Sequence, residues 1–239
     1  MYNSRKTIVI TGATRGIGRH CALQLANKEA HLVLIARNEK ELENISEECI
    51  ALGATTTSLP LDLSDIPSIK INIEKIKSEL GSIDILINNA GLWIEKSFES
   101  GDMDVWDTAL DVNLKSVIHM TRYCVEGMED GGSIIFIASS ASRRTYAGGT
   151  NYCAAKFGLM GFAGSLFEDV RERSIKVCSI LPGVVNTDMH KDDIQLDAEK
   201  MIQPQDIAAT VKFILSTPMN VCPTEITLMP QKKPKNISK

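Results

Sequence analysis

A short β-branched run, Thr7-Ile-Val-Ile-Thr11, passes directly into Gly12-Ala-Thr-Arg-Gly16-Ile-Gly18 and then into the helical pattern Arg19 to Lys28. A strand that ends in glycines and turns at once into a helix opens a βαβ unit, which commits the chain to a parallel sheet with helical crossovers. Gly12 permits the tight turn, Gly16 lets a backbone approach a pyrophosphate, and Gly18 lets helix pack on strand. The helix N-terminus offers N–H groups to a phosphate. The spacing is G-x-x-x-G-x-G, which departs from the dinucleotide fingerprint G-x-G-x-x-G, so a sharp βα turn without a ligand is the competing reading.

The same alternation continues down the chain. Apolar runs at His31 to Ala36, Thr55 to Leu61, Ile83 to Ile87, Ser133 to Ala138 and Ile175 to Leu181 are separated by helical patterns, and Glu225 to Met229 closes the series. The predicted fold is α/β: a single-domain, doubly wound, Rossmann-like parallel sheet of seven strands with helices on both faces. A length of 239 residues suits one such domain, 1–239, and no linker divides it. A polar excursion at about 188–203 is the natural substrate lid.

Composition removes several function classes. A net charge of −4 gives no footprint for nucleic acid, and the basic cluster Lys232-Lys233-Pro234-Lys235 reads as a solvated tail. No apolar span approaches about 18 residues, so neither a membrane helix nor a signal peptide is expected. Six cysteines without a C-x-x-C pair fit reduced thiols and a cytoplasmic location. The four histidines make no metal-ligand spacing, and no metal is expected. The sequons at Asn44 and Asn236 carry no meaning without secretion.

Ligands of open parallel sheets sit beyond the carboxyl ends of strands, so those ends deserve scrutiny. After the second strand come Ala36, Arg37 and Asn38, where sites that prefer NAD usually offer an acid to the ribose 2′-hydroxyl. Arg37, with Arg15 in the glycine turn, suits a 2′-phosphate and favours NADP(H) over NAD(H). Glu39 or Glu41 can still play the acidic role or pair with Arg37. Asp62 and Leu63 border the adenine, or Asp62 or Ser64 caps the helix of Ser68 to Leu80. Asn38 is a helix cap and Gly53 a stop. Asn88-Asn89-Ala90-Gly91 and Pro182-Gly183-Val-Val-Asn-Thr187 follow two further strands. Asn113 lies mid-helix in the pattern Trp106 to Met128, a position that needs a polar partner or a job if it is buried.

The stretch from Ser139 to Lys156 carries the chemistry. Tyr152 and Lys156 are four apart in a helix-favouring run and share a face. Ser139 stands at the end of a strand thirteen positions earlier, where it can point to the same place. An ammonium about 4 Å from a phenol is worth roughly 4 kcal/mol at an effective dielectric of about 20, or about three pKa units. The expectation is a phenol drawn from about 10 toward neutral, suited to acid and base catalysis.

Taken together, T-G-A-T-R-G-I-G at 11–18, N-N-A-G at 88–91, Asn113, Ser139, Y-C-A-A-K at 152–156 and P-G-V-V-N-T at 182–187 resemble the short-chain dehydrogenase/reductase family over nearly the whole chain. The glycine motif is most similar to that of 3-oxoacyl-carrier-protein reductases. The ending Met229-Pro-Gln-Lys-Lys-Pro lacks their glycine-rich segment, and the stretch Pro218 to Pro230 looks more like reductases of small hydroxy acids and assorted carbonyls. The resemblance implies a hydride transfer between NADP(H) and a carbonyl or secondary alcohol. In it Tyr152 is the acid/base, Ser139 donates to the substrate oxygen, and Lys156 lowers the phenol pKa and holds the nicotinamide ribose. Asn113 holds a water that connects Lys156 to solvent. Cofactor contacts implied are Gly12, Thr14, Arg15, Gly16, Ile17, Gly18 and Arg37, then Asp62, Leu63, Asn89, Ala90 and Gly91. Tyr152, Lys156, Pro182, Gly183, Val185 and Thr187 complete the set. A homodimer or homotetramer is the expected assembly, with contact faces near Trp106 to Met128 and Asn151 to Val170.

The pocket mouth is expected from Trp93, Ile94, Ala141 to Tyr146, Met189 and His190. Arg143 and Arg144 either attract an anionic substrate or are solvated loop residues. A catalytically silent NADP-binding sensor or scaffold is the alternative function, since fold alone never proves activity. Its mark would be a broken Ser, Tyr or Lys, and all three stand.

Overall fold

The computed structural model of the protein describes residues 5–190 and 196–234. Part of the expected lid, 191–195, and the tail from Lys235 with the sequon at Asn236 lie outside the described residues. Seven strands are present: β1 (Lys6–Thr11), β2 (Ala30–Ala36), β3 (Thr55–Pro60), β4 (Ile85–Asn88), β5 (Ser133–Ile137), β6 (Lys176–Pro182) and β7 (Glu225–Leu228). They form one sheet in the order β3-β2-β1-β4-β5-β6-β7. Every pairing is parallel, for example Val9 with Val33 and Leu86 with Ile134.

The strands read as continuous apolar runs because both faces of the sheet are covered. Ile8 and Ile10 of β1 pack to one side with Leu42 and Ile45 of α2 (Glu39–Ala51) and with Val211 and Ile214 of α7 (Pro204–Ser216); α1 (Gly16–Leu25) lies there too. Val9 packs to the other side with Ile69 and Ile73 of α3 (Ile66–Leu80) and with residues of α5 (Ser116–Glu126) and α6 (Thr150–Val170). Period-two alternation within a buried strand thus feeds two separate cores.

Local signals mostly act as read. Asn38 accepts from the Glu41 N–H at 3.2 Å and caps α2, and Gly53 follows its end at φ +99. Pro204 opens α7, where Gln203 and Asp206 form a reciprocal capping box. Neither Asp62 nor Ser64 caps α3. That helix starts at Ile66, and Asp62 instead accepts from the Ser64 N–H (2.9 Å) and hydroxyl (2.8 Å), a local Asx turn.

The single helix expected from Trp106 to Met128 is in fact α4 (Met103–Leu110), a π turn over Asp111–Lys115, and α5. Apolar periodicity survives a one-residue insertion, which is why the sequence reads as one helix. The wide turn is where Asn113 sits. The six cysteines are free thiols, five of them buried.

Candidate active site

The chain runs outward from β1 to β3 and returns to place β4 beside β1, which creates a switch point at the carboxyl ends of β1 and β4. Thr11 and Asn89 lock it. The Thr11 hydroxyl accepts from the N–H groups of Asn89 (2.9 Å) and Ala90 (3.0 Å), while the Asn89 amide donates to the carbonyls of Thr11 (2.9 Å) and Gly12 (3.1 Å). The Asn89 side-chain N–H donors are therefore spent on the protein. Thr11 belongs to the glycine motif, but its spacing gives no hint of this locking role.

A cleft of about 1320 Å³ opens above the switch point. One end is lined by Gly12, Thr14, Arg15, Gly16, Ile17, Arg37, Asp62 and Leu63, and the middle by Asn89, Ala90 and Gly91. Ser139, Tyr152, Lys156, Pro182, Gly183, Val185 and Thr187 line the other end. Two expected contacts do not line it. Gly18 faces the protein, since a Cβ there would stand 2.1 Å from the Gly12 carbonyl oxygen; its service is helix-to-strand packing. Asn113 is buried below the wall.

The glycine turn is a cradle that a side chain would fill. Gly12 and Gly16 adopt φ of +64 and +52, and a Cβ on Gly12 would lie 2.9 Å from the Asn89 amide nitrogen. Arg15 reaches Asp188 across the cleft at 3.7 Å, and both side chains are well exposed. Arg37 makes no ion pair among the described residues, and the nearby Asp62 carboxyl is held below the usual carboxylate range chiefly by its bonds to Ser64. Glu41 lines the same end, as does Asn38. This donor set fits a phosphorylated dinucleotide: backbone N–H groups at a helix start and two guanidiniums for anions.

At the far end, β5 delivers Ser139 and α6 delivers Tyr152 and Lys156. The Ser139 Oγ accepts from the Ala141 N–H at 3.1 Å, which fixes its rotamer. Tyr152 is 9% and Lys156 5% exposed. The ammonium donates to the Ile137 carbonyl at 3.2 Å and lies 5.6 Å from the Tyr152 ring centroid. The expected lowering of the phenol toward neutral is not found. Burial pushes Tyr152 up to about 12, with the neighbouring Ser139 hydroxyl pulling the other way, and burial brings Lys156 down to about 8. Loss of hydration leads both shifts, each toward the neutral form of its group.

Asn113 ties the site together from beneath. Its Oδ1 accepts from the Leu92 N–H (3.0 Å) and its Nδ2 donates to the Leu92 carbonyl (2.8 Å), so this amide adds a second anchor to the loop after β4, beyond the bonds of Asn89 and Ala90. A Cβ on Gly91 would stand 3.0 Å from the Asn113 Oδ1 and 4.0 Å from the Lys156 Nζ, so the three positions are in mutual reach.

Trp93, Ala141, Tyr146 and Met189 line the mouth as expected, joined by Leu92, Glu95, Val112 and Leu196, for which the sequence offers no signal. Arg143 and Arg144 do not line it. Arg143 is bound to Glu225 at 2.6 Å, which ties the loop after Ser139 to β7.

The chain belongs to the short-chain dehydrogenase family, whose profile matches residues 6–197. It is 36% identical over 222 residues to the 3-oxoacyl-acyl-carrier-protein reductase of Salmonella typhimurium, covering 88% of this chain and 90% of that one. It is 34% identical over 233 residues to the sepiapterin reductase of Chlorobaculum tepidum, covering 93% and 95%. Among solved structures, an alcohol dehydrogenase from Thermococcus sibiricus complexed with 5-hydroxy-NADP superposes with a TM-score of 0.88 at 27% identity, over 97% of this chain and all of that one. A short chain dehydrogenase from Burkholderia cenocepacia in complex with NADP gives 0.86 at 26%, over 95% and 98%. The protein is thus an enzyme of the short-chain dehydrogenase/reductase class. Among the described residues no helix is long and apolar enough to cross a membrane.

Proposed function

We propose that this enzyme moves a hydride between NADP(H) and a carbonyl or secondary alcohol, with Tyr152 as acid and base at the substrate oxygen. The observation that carries the reading is the convergence of Ser139, Tyr152 and Lys156 on one end of a cleft whose other end holds the glycine turn and Arg37. The glycine turn, with Thr14, Arg15 and Ile17, would hold the pyrophosphate; Arg15 and Arg37 the 2′-phosphate; Asp62 and Leu63 the adenine side. Ala90 and Gly91 would flank the ribose, and Pro182, Gly183, Val185 and Thr187 the carboxamide. The NADP ligands of the solved relatives support the choice of cofactor.

A bound nicotinamide supplies or accepts the hydride. In the reducing direction Tyr152, protonated throughout the neutral range, gives its proton to the oxygen as charge develops there. The Ser139 hydroxyl donates to the same oxygen. Lys156, when charged, would stabilise the phenolate left behind and would hold the ribose of a bound cofactor. Asn113 would hold the water through which Lys156 exchanges protons with solvent. The names of the relatives point to two unlike substrates, an acyl thioester and a pterin, so neither is carried over. Residence in the cytoplasm and assembly as a homodimer or homotetramer go with this reading. The exposed Phe98, Met103 and Phe157 around α4 and α6 are the natural contact residues.

The test is a panel of aldehydes, ketones and 3-oxoacyl thioesters with NADPH consumption followed optically. Tyr152→Phe should lower turnover by at least about 10²-fold while keeping NADPH affinity, as expected for loss of a general acid. Retained turnover refutes the role of Tyr152. Tight NADPH binding without turnover of any compound would favour the silent sensor or scaffold instead.

A further inference from the structure

We infer that the substrate end of the cleft is built for a carbonyl compound carrying a protonated amine, held against the Trp93 and Tyr146 rings and paired with the Glu95 carboxylate. The inference rests on the oxidoreductase reading above and names its substrate class.

Trp93 donates its indole N–H to the Tyr146 hydroxyl at 2.9 Å, which makes one wall of two side chains drawn from distant loops. Glu95 lines the same cleft with an exposed side chain, and the main chain beside it is pinned where the Lys96 N–H donates to the Gly148 carbonyl at 3.1 Å. Gly148, at φ +83, makes room for it: a Cβ there would stand 3.0 Å from the Glu95 Cγ. Trp93, Glu95 and Tyr146 line one cleft. Burial pushes the Tyr146 phenol up against the opposing pull of the Trp93 bond, and Cys153 and Glu95 add smaller upward contributions.

At the substrate end of the cleft the other nearby charges are engaged. Asp188 faces Arg15, Arg143 is bound to Glu225 outside the cleft, and Lys156 lies buried beside Tyr152. Among the described residues Glu95 makes no ion pair or side-chain hydrogen bond. The segment that continues from it carries Glu99, Asp102, Asp104 and Asp107, all exposed, against Lys96 alone. Such a surface attracts cations and repels anions. An ammonium beside two aromatic rings and a carboxylate gains both a charge-assisted hydrogen bond and a cation–π contact.

Three ketones that differ only at the far end test this: para-(aminomethyl)acetophenone, its neutral isostere para-ethylacetophenone, and para-acetylbenzoate. The full chain is measured with NADPH for kcat/KM, and ketone binding is followed by tryptophan quenching. The wild type should prefer the amine over the neutral isostere by about tenfold, as a charge-assisted hydrogen bond implies, and should handle the benzoate worst. In Glu95→Gln the ratio of amine to neutral ketone should fall to about one, and in Glu95→Lys the order should favour the benzoate. An amine preference that is absent in the wild type, or that survives Glu95→Gln, overturns the inference. Because binding is read separately from turnover, a series that binds in the expected order without being reduced upholds this site and overturns the hydride-transfer reading instead.

Discussion

Replacing Lys156 by methionine should make the protein less sensitive to pH while destroying its activity. The ammonium sits in α6 with 5% exposure, and burial lowers its pKa from 10.5 to about 8. Below pH 8 both folded and unfolded chains carry this charge, and the folded chain bears the full cost of burying it. Between pH 8 and 10.5 the folded chain has released the proton while the unfolded chain retains it, so wild-type stability rises with pH through that window. Above 10.5 both are neutral and the cost is gone. At about 1.4 kcal/mol per pKa unit the cost at neutral pH is about 3 kcal/mol. Methionine matches the stem and carries no charge, but it leaves the Ile137 carbonyl without its donor, a pH-independent loss of about 1–3 kcal/mol. The absolute gain at pH 7 is therefore small. The stability of the variant minus that of the wild type is the cleaner quantity, and it should fall by about 2.5 kcal/mol between pH 7 and pH 10, leaving the variant the less stable of the two at the alkaline end. Tyr152, pushed up to about 12, is neutral in the fold over this range in both chains. Urea denaturation of the two proteins at half-unit pH steps gives the curve. A variant-minus-wild-type stability that stays constant with pH, or rises toward pH 10, would refute the claim that Lys156 is a desolvated cation.

Two further substitutions probe the other end of the cleft. Gly18→Ala should cost about 2 kcal/mol or more by urea denaturation, because the new methyl would meet the Gly12 carbonyl at 2.1 Å and backbone must move; a loss below half of that would mean the turn relaxes freely. Arg37→Asp should weaken NADPH binding by tenfold or more, and NADH affinity should hold or improve with the guanidinium gone and an acid beside the ribose. Fluorescence titration with both nucleotides measures this, and an unchanged ratio of the two dissociation constants would remove Arg37 from the 2′-phosphate site.

The fold was legible because its signals are redundant. Seven β-branched runs, helix-period segments between them, and caps such as Asn38 and Pro204 all point to one topology, and strand ends moved by only a residue or two. The positions of Ser139, Tyr152 and Lys156 were legible for a different reason: strand end and helix face fix their direction once the sheet is known. What could not be read is set by distances and hydration. The Tyr152 phenol goes up instead of down because it is buried, and the Ser139 hydroxyl offsets only part of that. Glu95 and Leu196 reach the cleft by the course of loops, which no local pattern encodes. Arg143, read as a possible anion attractor, is claimed by Glu225, a residue 82 positions away.

The π turn at Asp111–Lys115 has a bearing on how this chain's α4–α5 segment can change length. Each residue of an α-helix rotates the chain by about 100°, so deleting any one residue between α4 and α5 would let the wide turn close into regular helix while swinging Asn113 away from Leu92. Substitutions along the exposed side of that helix should be absorbed easily, whereas a one-residue deletion would unhook the loop after β4 and, with it, the ceiling over Lys156. In this stretch the chain's count of residues is a stricter inheritance than their kind.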